Sequence, residues 1–508
     1  LSTDVLLIED LSQQHLPART LAAVLQRAGR RVRLAHFGPE DREGIRMPSP
    51  DNIITLAQRK RPRLIVFSIL FADRVPETLA LITAMRQSGV GAHTTMVGPL
   101  PSFAANELLT ACPALDSVLC GEAEASVTQL ACLQDSKGLP NPSGLATRCD
   151  NGTIQWQAVP NLDALPFPLH HDLPEYAGYG FATIESSRGC YHACTFCLPC
   201  AFYRAAGAPY RLRSIVNLVD EIEALYRRGT RLFLFDDEQF LPRGRAREGR
   251  VEALGRELER RNLSIAFTIK CRADDVDAPL FRRLKAMGLL RVYVGIESGC
   301  QATLDLFGKH VTAQRNAEAL TTLDELGIVA DFRSLLFHPW STLESIQADI
   351  AFLHSVMPHV PTSFDFREVE VYPGTPLAAR LRAEGSGVGD PWPLAYTIAD
   401  PRAELLRRLM HIVFSGAHAR FQEQITQAWF DLLLRRRFQP AQFDVDRAQR
   451  LKADVARVNA ESLDVWRDML AFAGESDIYN AEFVNERAAE WAARINQVLA
   501  SLHASCYS

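Results

Sequence analysis

Short apolar runs alternate with amphipathic stretches along the first 135 residues. Val5–Ile8, Leu64–Ile69, Thr94–Val97 and Ser117–Leu119 read as buried strands, and about Ala18–Ala28 and Pro76–Arg86 as helices between them. Strand, helix, strand in that rhythm predicts a doubly wound, Rossmann-like parallel sheet over residues 1–137, with helices on both faces. Residues 138–175 break the rhythm. They carry Gly138-Leu139-Pro140-Asn141-Pro142-Ser143-Gly144 and then Pro166, Pro168 and Pro174, which predicts a linker with a hairpin around Asn151-Gly152.

A second alternation follows, with strands at Phe181–Glu185, Arg231–Phe235, Ser264–Ile269, Val292–Ile296, Val329–Leu335 and Asp365–Val371. Six strands separated by helical segments predict a partial (β/α)6 TIM-like barrel over residues 176–385, although doubly wound packing gives the same linear order. After Gly385-Ser386-Gly387 the apolar residues take helical spacing, around Leu405–Leu434, Val455–Leu470 and Phe483–Leu502. Residues 386–508 are therefore expected to form a C-terminal helical domain, and the chain as a whole reads as α/β. Trp429, Phe430 and Trp466 lie at helical spacing there and read as core, with a roof over the active site as the alternative. Arg435-Arg436-Arg437 reads as a solvated helix end.

Composition narrows the class. With 508 residues, 47% of them hydrophobic, the chain has enough apolar side chains for several cores. A net charge of -5 with 23% charged residues argues against a nucleic-acid partner, which would call for a basic surface. No apolar run reaches the roughly 18 to 20 residues of a membrane span, and Leu1–Asp10 lacks the pattern of a signal peptide. The expectation is a cytoplasmic monomer acting on a small molecule. Eleven cysteines without an export pattern suggest reduced thiols, some of them metal ligands.

The sharpest local feature is Ser186-Ser187-Arg188-Gly189-Cys190-Tyr191-His192-Ala193-Cys194-Thr195-Phe196-Cys197, a C-x3-C-x2-C array directly after a predicted strand. Three thiolates can hold three irons of a cubane and leave the fourth open to a ligand. The same positions, i, i+4 and i+7, also describe one stripe of a buried helix. A closed four-cysteine zinc or iron site that recruits Cys200 is a further alternative.

This array and the motifs downstream resemble the radical S-adenosylmethionine (SAM) superfamily over residues 176 to 385. The likeness implies a [4Fe-4S] cluster on Cys190, Cys194 and Cys197, with SAM chelating the open iron through its amino and carboxylate groups. Phe235-Asp236-Asp237-Glu238-Gln239-Phe240, Lys270-Cys271-Arg272 and Val294-Gly295-Ile296-Glu297-Ser298-Gly299 end the second, third and fourth strands, and Tyr372-Pro373-Gly374-Thr375-Pro376 closes the segment. The resemblance makes Phe196, Asp237, Glu238, Lys270, Arg272, Glu297 and Arg333 the SAM-binding candidates. The Asp-Asp-Glu run leaves open which carboxylate meets the amino group, with Asp237 first. Polar groups at the carboxyl ends of barrel strands are where ligands sit in such folds.

Met96-Val97-Gly98-Pro99, about twenty residues before Asp116–Glu124, is similar to the cobalamin-binding domain that precedes many such barrels. That likeness covers about residues 3 to 135. It implies cobalamin held by Gln13, Ser68, Leu70, Phe71, Gly98, Pro99, Ser102, Gly121, Glu122 and Glu124. No G-x-G-x-x-G follows the first strand, which speaks against a dinucleotide. The Asp-x-His-x-x-Gly motif of cobalamin-dependent methionine synthase and mutases is also missing, so cobalamin is expected with its dimethylbenzimidazole tail detached and buried and with no histidine on cobalt; His15 is the nearest dissenting candidate. A sheet that binds nothing and only orients the barrel is the alternative for this domain.

Together these features point to a cobalamin-dependent radical SAM methyltransferase acting on an unactivated carbon of a natural product. Its cofactors would be the [4Fe-4S] cluster, SAM and cobalamin, with electrons from a flavodoxin or ferredoxin. A cyclisation or rearrangement with the same cofactors is the second reading, and an iron-sulfur electron carrier or sensor the third.

Overall fold

The computed structural model describes residues 3–9, 16–37, 49–70, 72–133, 142–148, 154–171, 173–475 and 481–502. Gln13, His15, Phe71 and the Asn151-Gly152 turn lie outside them. The chain forms two compact units that do not follow its linear order. One contains Leu1–Leu173, Ala182–Glu221 and Glu370–Ala395; the other contains Pro174–Phe181, Ile222–Val369 and Tyr396–Ser508.

In the first unit, β1 (Val5–Glu9), β2 (Val32–His36), β3 (Leu64–Ser68), β4 (His93–Val97), β5 (Ser117–Leu119) and β6 (Leu145–Ala146) form one sheet in the order β2-β1-β3-β4-β5-β6. The first five are parallel. β1 and β3 are buried along their whole length because alternate side chains feed two cores. Leu6, Ile8, Ile65 and Phe67 enter one core, and Val5, Leu7, Leu64 and Val66 the other. This is why the runs read as uninterrupted apolar stretches.

Two elements have weaker sequence signals. β2 is a largely half-exposed edge strand without a clean apolar pattern. The helix Pro50–Lys60 buries only Ile53 and Ala57, but Ser49 caps it by accepting the Asn52 N–H, and proline opens it. β6 pairs antiparallel with β5, so part of the proline-rich segment is a sheet edge.

In the second unit, β7 (Glu175–Tyr176), β8 (Tyr179–Ile184, which begins in this unit), β11 (Thr230–Phe235), β12 (Ala266–Arg272), β13 (Leu289–Gly295) and β14 (Val329–Asp331) make a curled half-barrel sheet in the order β14-β13-β12-β11-β8-β7. β9 (Ser187–Gly189) and β10 (Tyr210–Leu212), intervening in the chain, belong to the first unit. The predicted strand Val329–Leu335 is split at Phe332. Its second half, β15 (Arg333–Phe337), pairs in parallel with β16 (Asp365–Glu368).

The C-terminal segment forms the helices Pro401–Val413, Ala417–Phe438, Val445–Glu475 and Ala481–Ala500. Trp466 is fully buried, against Phe366 and Phe414, and Trp429 donates to the Pro361 carbonyl at 2.8 Å; both are core residues. Phe430 lies against Tyr176 and Arg291. Of the arginine triplet, Arg435 pairs with Asp431, while Arg437 donates to the Met287 carbonyl and so caps a neighbouring helix.

Candidate functional site

The cysteine array is a loop, not a helix: β9 ends at Gly189, and the next helix, Leu198–Ala205, starts only after Cys197. β9 pairs antiparallel with β10. Gly189 has φ 82°, and a Cβ there would lie 2.2 Å from the Pro209 carbonyl oxygen, so only glycine fits the turn into the array. Cys190 and Cys194 are buried and Cys197 half-buried. The buried Cys200 thiol hydrogen-bonds to Cys190 and Cys197, and these bonds together with burial push it far above the ordinary thiol range. The Leu377 N–H donates to the Thr195 carbonyl at 2.9 Å, so the segment after Tyr372-Pro373-Gly374-Thr375 folds back onto the array.

Among the described residues, no three His, Cys, Asp or Glu side chains converge on a single metal ion. The donor set is nevertheless the one an iron-sulfur cluster takes: thiols alone, in a partly buried loop. Phe196 sits half-buried inside the array.

The two carboxylates of Gly121-Glu122-Ala123-Glu124 turn toward this loop. Arg188 donates to Glu124 at 2.6 Å, to Glu122 at 3.1 Å and to Glu185 at 2.8 Å. Arg211 donates to Glu122 at 2.6 and 2.9 Å, and the Val159 N–H also donates to it. Burial opposes the charge of Glu122, but Arg211 and Arg188 outweigh it and hold the carboxyl below its usual range. The side chains of Glu122 and Glu124 are thus engaged by arginines.

The remaining cobalamin candidates gather at the carboxyl ends of the parallel strands. Ser68 closes β3 and is buried, while Leu70 is exposed. Gly98 follows β4 with φ 125°, and a Cβ there would lie 2.6 Å from the Ile69 carbonyl oxygen. Pro99 opens the helix Pro99–Phe103. Ser102 donates to the Gly98 carbonyl at 2.7 Å and accepts the Gly121 N–H at 3.0 Å, joining two of the loops. A sheet edge of glycine, small residues and an exposed leucine suits a large, mostly apolar ring. His36 closes β2 at the same edge and is held by the buried Glu9 at 2.9 Å.

In the second unit the remaining candidates lie toward the carboxyl ends of the strands. Asp237 is buried and Glu238 exposed. Lys270 pairs with Asp236 at 2.5 Å; burial works against its charge, yet Asp236 and Glu238 outweigh that and raise its pKa. Arg272 is buried and spends its guanidinium on Asp274 and the Lys309 carbonyl, which makes it a strut. Lys309 in turn holds the Glu297 carboxylate at 3.1 Å.

Glu297 has φ 65°, the left-handed region, and its carbonyl accepts the Leu335 N–H at 2.7 Å. The following turn is clamped by Asp349, which accepts from Ser298 Oγ at 2.6 Å, Gly299 N at 2.6 Å and Cys300 N at 3.1 Å. Asn316 donates to the Ile296 and Ser298 carbonyls. Asp349, Asn316 and Lys309 had no local signal, because their partners are remote in sequence. Arg333 is half-exposed and lies over the Tyr293 ring. Tyr293 could have been found from alternation, two residues before Gly295.

Comparison with known proteins agrees with this architecture. Residues 12–131 match the B12 binding domain family, and residues 184–351 match the Radical SAM superfamily. The chain is 26% identical over 323 residues to an uncharacterized methyltransferase of Pyrococcus horikoshii, covering 61% of this chain and 67% of that protein. It is 26% identical over 342 residues to the hopanoid C-3 methylase of Methylococcus capsulatus, covering 65% and 62%. It is 30% identical over 244 residues to an anaerobic magnesium-protoporphyrin IX monomethyl ester cyclase of Synechocystis sp., covering 46% and 47%. The matches thus span about half to two thirds of these relatives.

Among solved structures, the cobalamin-dependent SAM radical enzyme OxsB with aqua-cobalamin and SAM bound aligns with a TM-score of 0.68 at 17% identity, covering 98% of this chain and 80% of that one. The radical SAM methyltransferase TsrM from Kitasatospora setae, with cobalamin and a [4Fe-4S] cluster bound, aligns with a TM-score of 0.59 at 19% identity, covering 76% and 79%. At these identities the likeness establishes the fold. No helix among the described residues is long and apolar enough to cross a membrane. The chain thus carries both a B12-binding and a radical SAM domain, the pair that makes up cobalamin-binding radical SAM enzymes, and the cofactors these domains take are cobalamin, SAM and a [4Fe-4S] cluster.

Proposed function

We propose that this enzyme moves a methyl group from SAM, by way of cobalamin, to an unactivated carbon of a small natural-product substrate. The observation that supports the reading is the Arg188 network, which ties the cysteine loop to the Gly121–Glu124 loop of the B12-binding domain inside one compact unit. A methyl carrier and a radical source held in one body turn an improbable encounter into a positioned one.

When bound, cobalamin carries the methyl group, and SAM at the reduced cluster supplies the radical that takes hydrogen from substrate. In this reading Cys190, Cys194 and Cys197 ligate the cluster, and Gly189 turns the chain so that all three reach it. Ser68, Leu70, Gly98, Pro99, Ser102 and the Gly121 backbone line the corrin. Within the second unit Asp237, Glu238, Lys270 and Glu297 hold SAM, with Arg272, through Lys309, keeping Glu297 in place. An external donor such as flavodoxin or ferredoxin supplies electrons.

The test is product stoichiometry under anaerobic turnover. Methyl transfer through cobalamin yields S-adenosylhomocysteine, and reductive cleavage yields methionine and 5′-deoxyadenosine. The expected result is both adenosyl products in about equal amounts, with a substrate heavier by one methylene. 5′-Deoxyadenosine alone, with no mass gain, would replace this reading with a cyclisation or rearrangement, the reading favoured by the likeness to a cyclase.

A further inference from the structure

We infer that the lumen of the half-barrel contains an anion-binding site, formed by Arg333 and Arg367, for a carboxylate or phosphate group of the substrate. The inference rests on the reading above insofar as it places the substrate in that lumen.

Strand register puts the relevant side chains on one face. Lys270 is the partner of Tyr293 across β12 and β13, and Arg333 is the partner of Asp365 across β15 and β16. Arg333 lies over the Tyr293 ring at 6.0 Å, and Lys270 reaches Asp236 on the far side. The alternate positions, Ile269, Val292, Val294, Ser334 and Phe366, are buried on the opposite face. Side chains alternate along a strand, so Asp365 and Arg367 share the first face, which is polar and partly open.

Two guanidinium groups meet a single carboxylate there. Arg333 uses its Nε on Asp365 Oδ2 at 3.1 Å, and Arg367 uses its Nε on Oδ1 at 2.6 Å. Among the described residues, no terminal nitrogen of either arginine has a hydrogen-bond partner, and the two side chains are 45% and 48% exposed. The cluster therefore carries one excess positive charge and four forked donors. Asp365 fixes the spacing of the two forks, and the Tyr293 face supports one of them. Planar guanidinium forks match carboxylate and phosphate oxygens in pairs. A solvated surface pair would have little value on its own, but here Arg333 lies over Tyr293, the register partner of Lys270, on the polar face of the strands.

The test is isothermal titration calorimetry of the full chain with phenyl phosphate and with phenylacetate, in the absence of SAM. At least one anion is expected to bind, and the tighter one identifies the group as phosphate or carboxylate. Arg333→Gln and Arg367→Gln should each weaken that binding about tenfold or more, which corresponds to about 1.4 kcal/mol. Asp365→Asn should tighten it, because the competing carboxylate is gone. Arg402→Gln, which removes an arginine already paired with Asp400, should leave it unchanged. Circular dichroism would confirm that each variant is folded. Failure of both anions to bind wild type and Asp365→Asn overturns the site, as does binding that Arg333→Gln and Arg367→Gln leave intact. Calorimetry involves no turnover, so equal yields of the two adenosyl products alongside absent anion binding would remove this site and keep the methyl-transfer reading.

Discussion

Arg188 donates to Glu124 at 2.6 Å, and both side chains are less than a tenth exposed. Arg188 stands two residues before Cys190, and Glu124 opens a helix of the B12-binding domain. A short buried ion pair thus joins the start of the cysteine loop to the cobalamin domain.

Removing one partner of such a pair leaves a buried charge without compensation. Arg188→Gln should therefore destabilise the protein by about 3–5 kcal/mol in urea unfolding, and Arg188→Lys by less. Because the Glu122 pKa is lowered from its ordinary 4.5, its contribution is present above that value and is lost as pH falls through the lower, folded-state pKa. Acid titration of the wild type should show this loss below pH 4.5, and Arg188→Gln should show less of it.

Replacing Cys190, Cys194 or Cys197 by alanine should abolish cluster assembly, measured as iron and sulfide per chain and by the visible absorption of the reconstituted protein. Cys200→Ala should keep full iron content even though its thiol touches Cys190 and Cys197. Loss of iron in Cys200→Ala alone would make the site a closed one. Cys194→Ala should also stop 5′-deoxyadenosine formation.

Burial raises the Asp349 carboxyl from 3.8 to about 6, against the three donors that favour its charged form. The folded state therefore holds a proton that the unfolded state releases between those values. Stability from this group is full below pH 3.8 and declines as pH rises through about 6, by about 3 kcal/mol. Asp349→Asn cannot ionise, so unfolding free energies measured between pH 4 and 7 should lose this slope. An unchanged slope would show that another group causes it.

Electron paramagnetic resonance of the cob(II)alamin form should show no splitting from an axial protein nitrogen. Among the described residues, His36 stands at the carboxyl end of β2, and Glu9 holds it at 2.9 Å. A nitrogen splitting in wild type that disappears in His36→Ala would overturn the expectation of a cobalt without a protein ligand.

The sequence alone determined the strand and helix rhythm and the all-thiol donor set of the cysteine loop, because both are local. Runs such as Val5–Ile8 and Leu64–Ile69 must be buried wherever the chain goes, and Cys190, Cys194 and Cys197 carry their chemistry in their spacing. Likewise Gly189 was legible as a turn beside the array, and Gly98 and Gly121 as loop residues after strands. Only the tertiary structure decided how the polar side chains are used. Glu122 and Glu124 look like ligand contacts in sequence, but Arg188 and Arg211, some 64 to 89 positions away, engage them. Arg272 looks like a SAM contact, yet the carbonyl of Lys309, 37 positions on, takes its guanidinium. Tertiary structure also revealed Asp349 and the sharing of Asp365 by Arg333 and Arg367. The physical reason is range: burial and backbone periodicity are set by near neighbours, whereas a charged side chain takes its role from whichever partner the folded chain brings within about 3 Å.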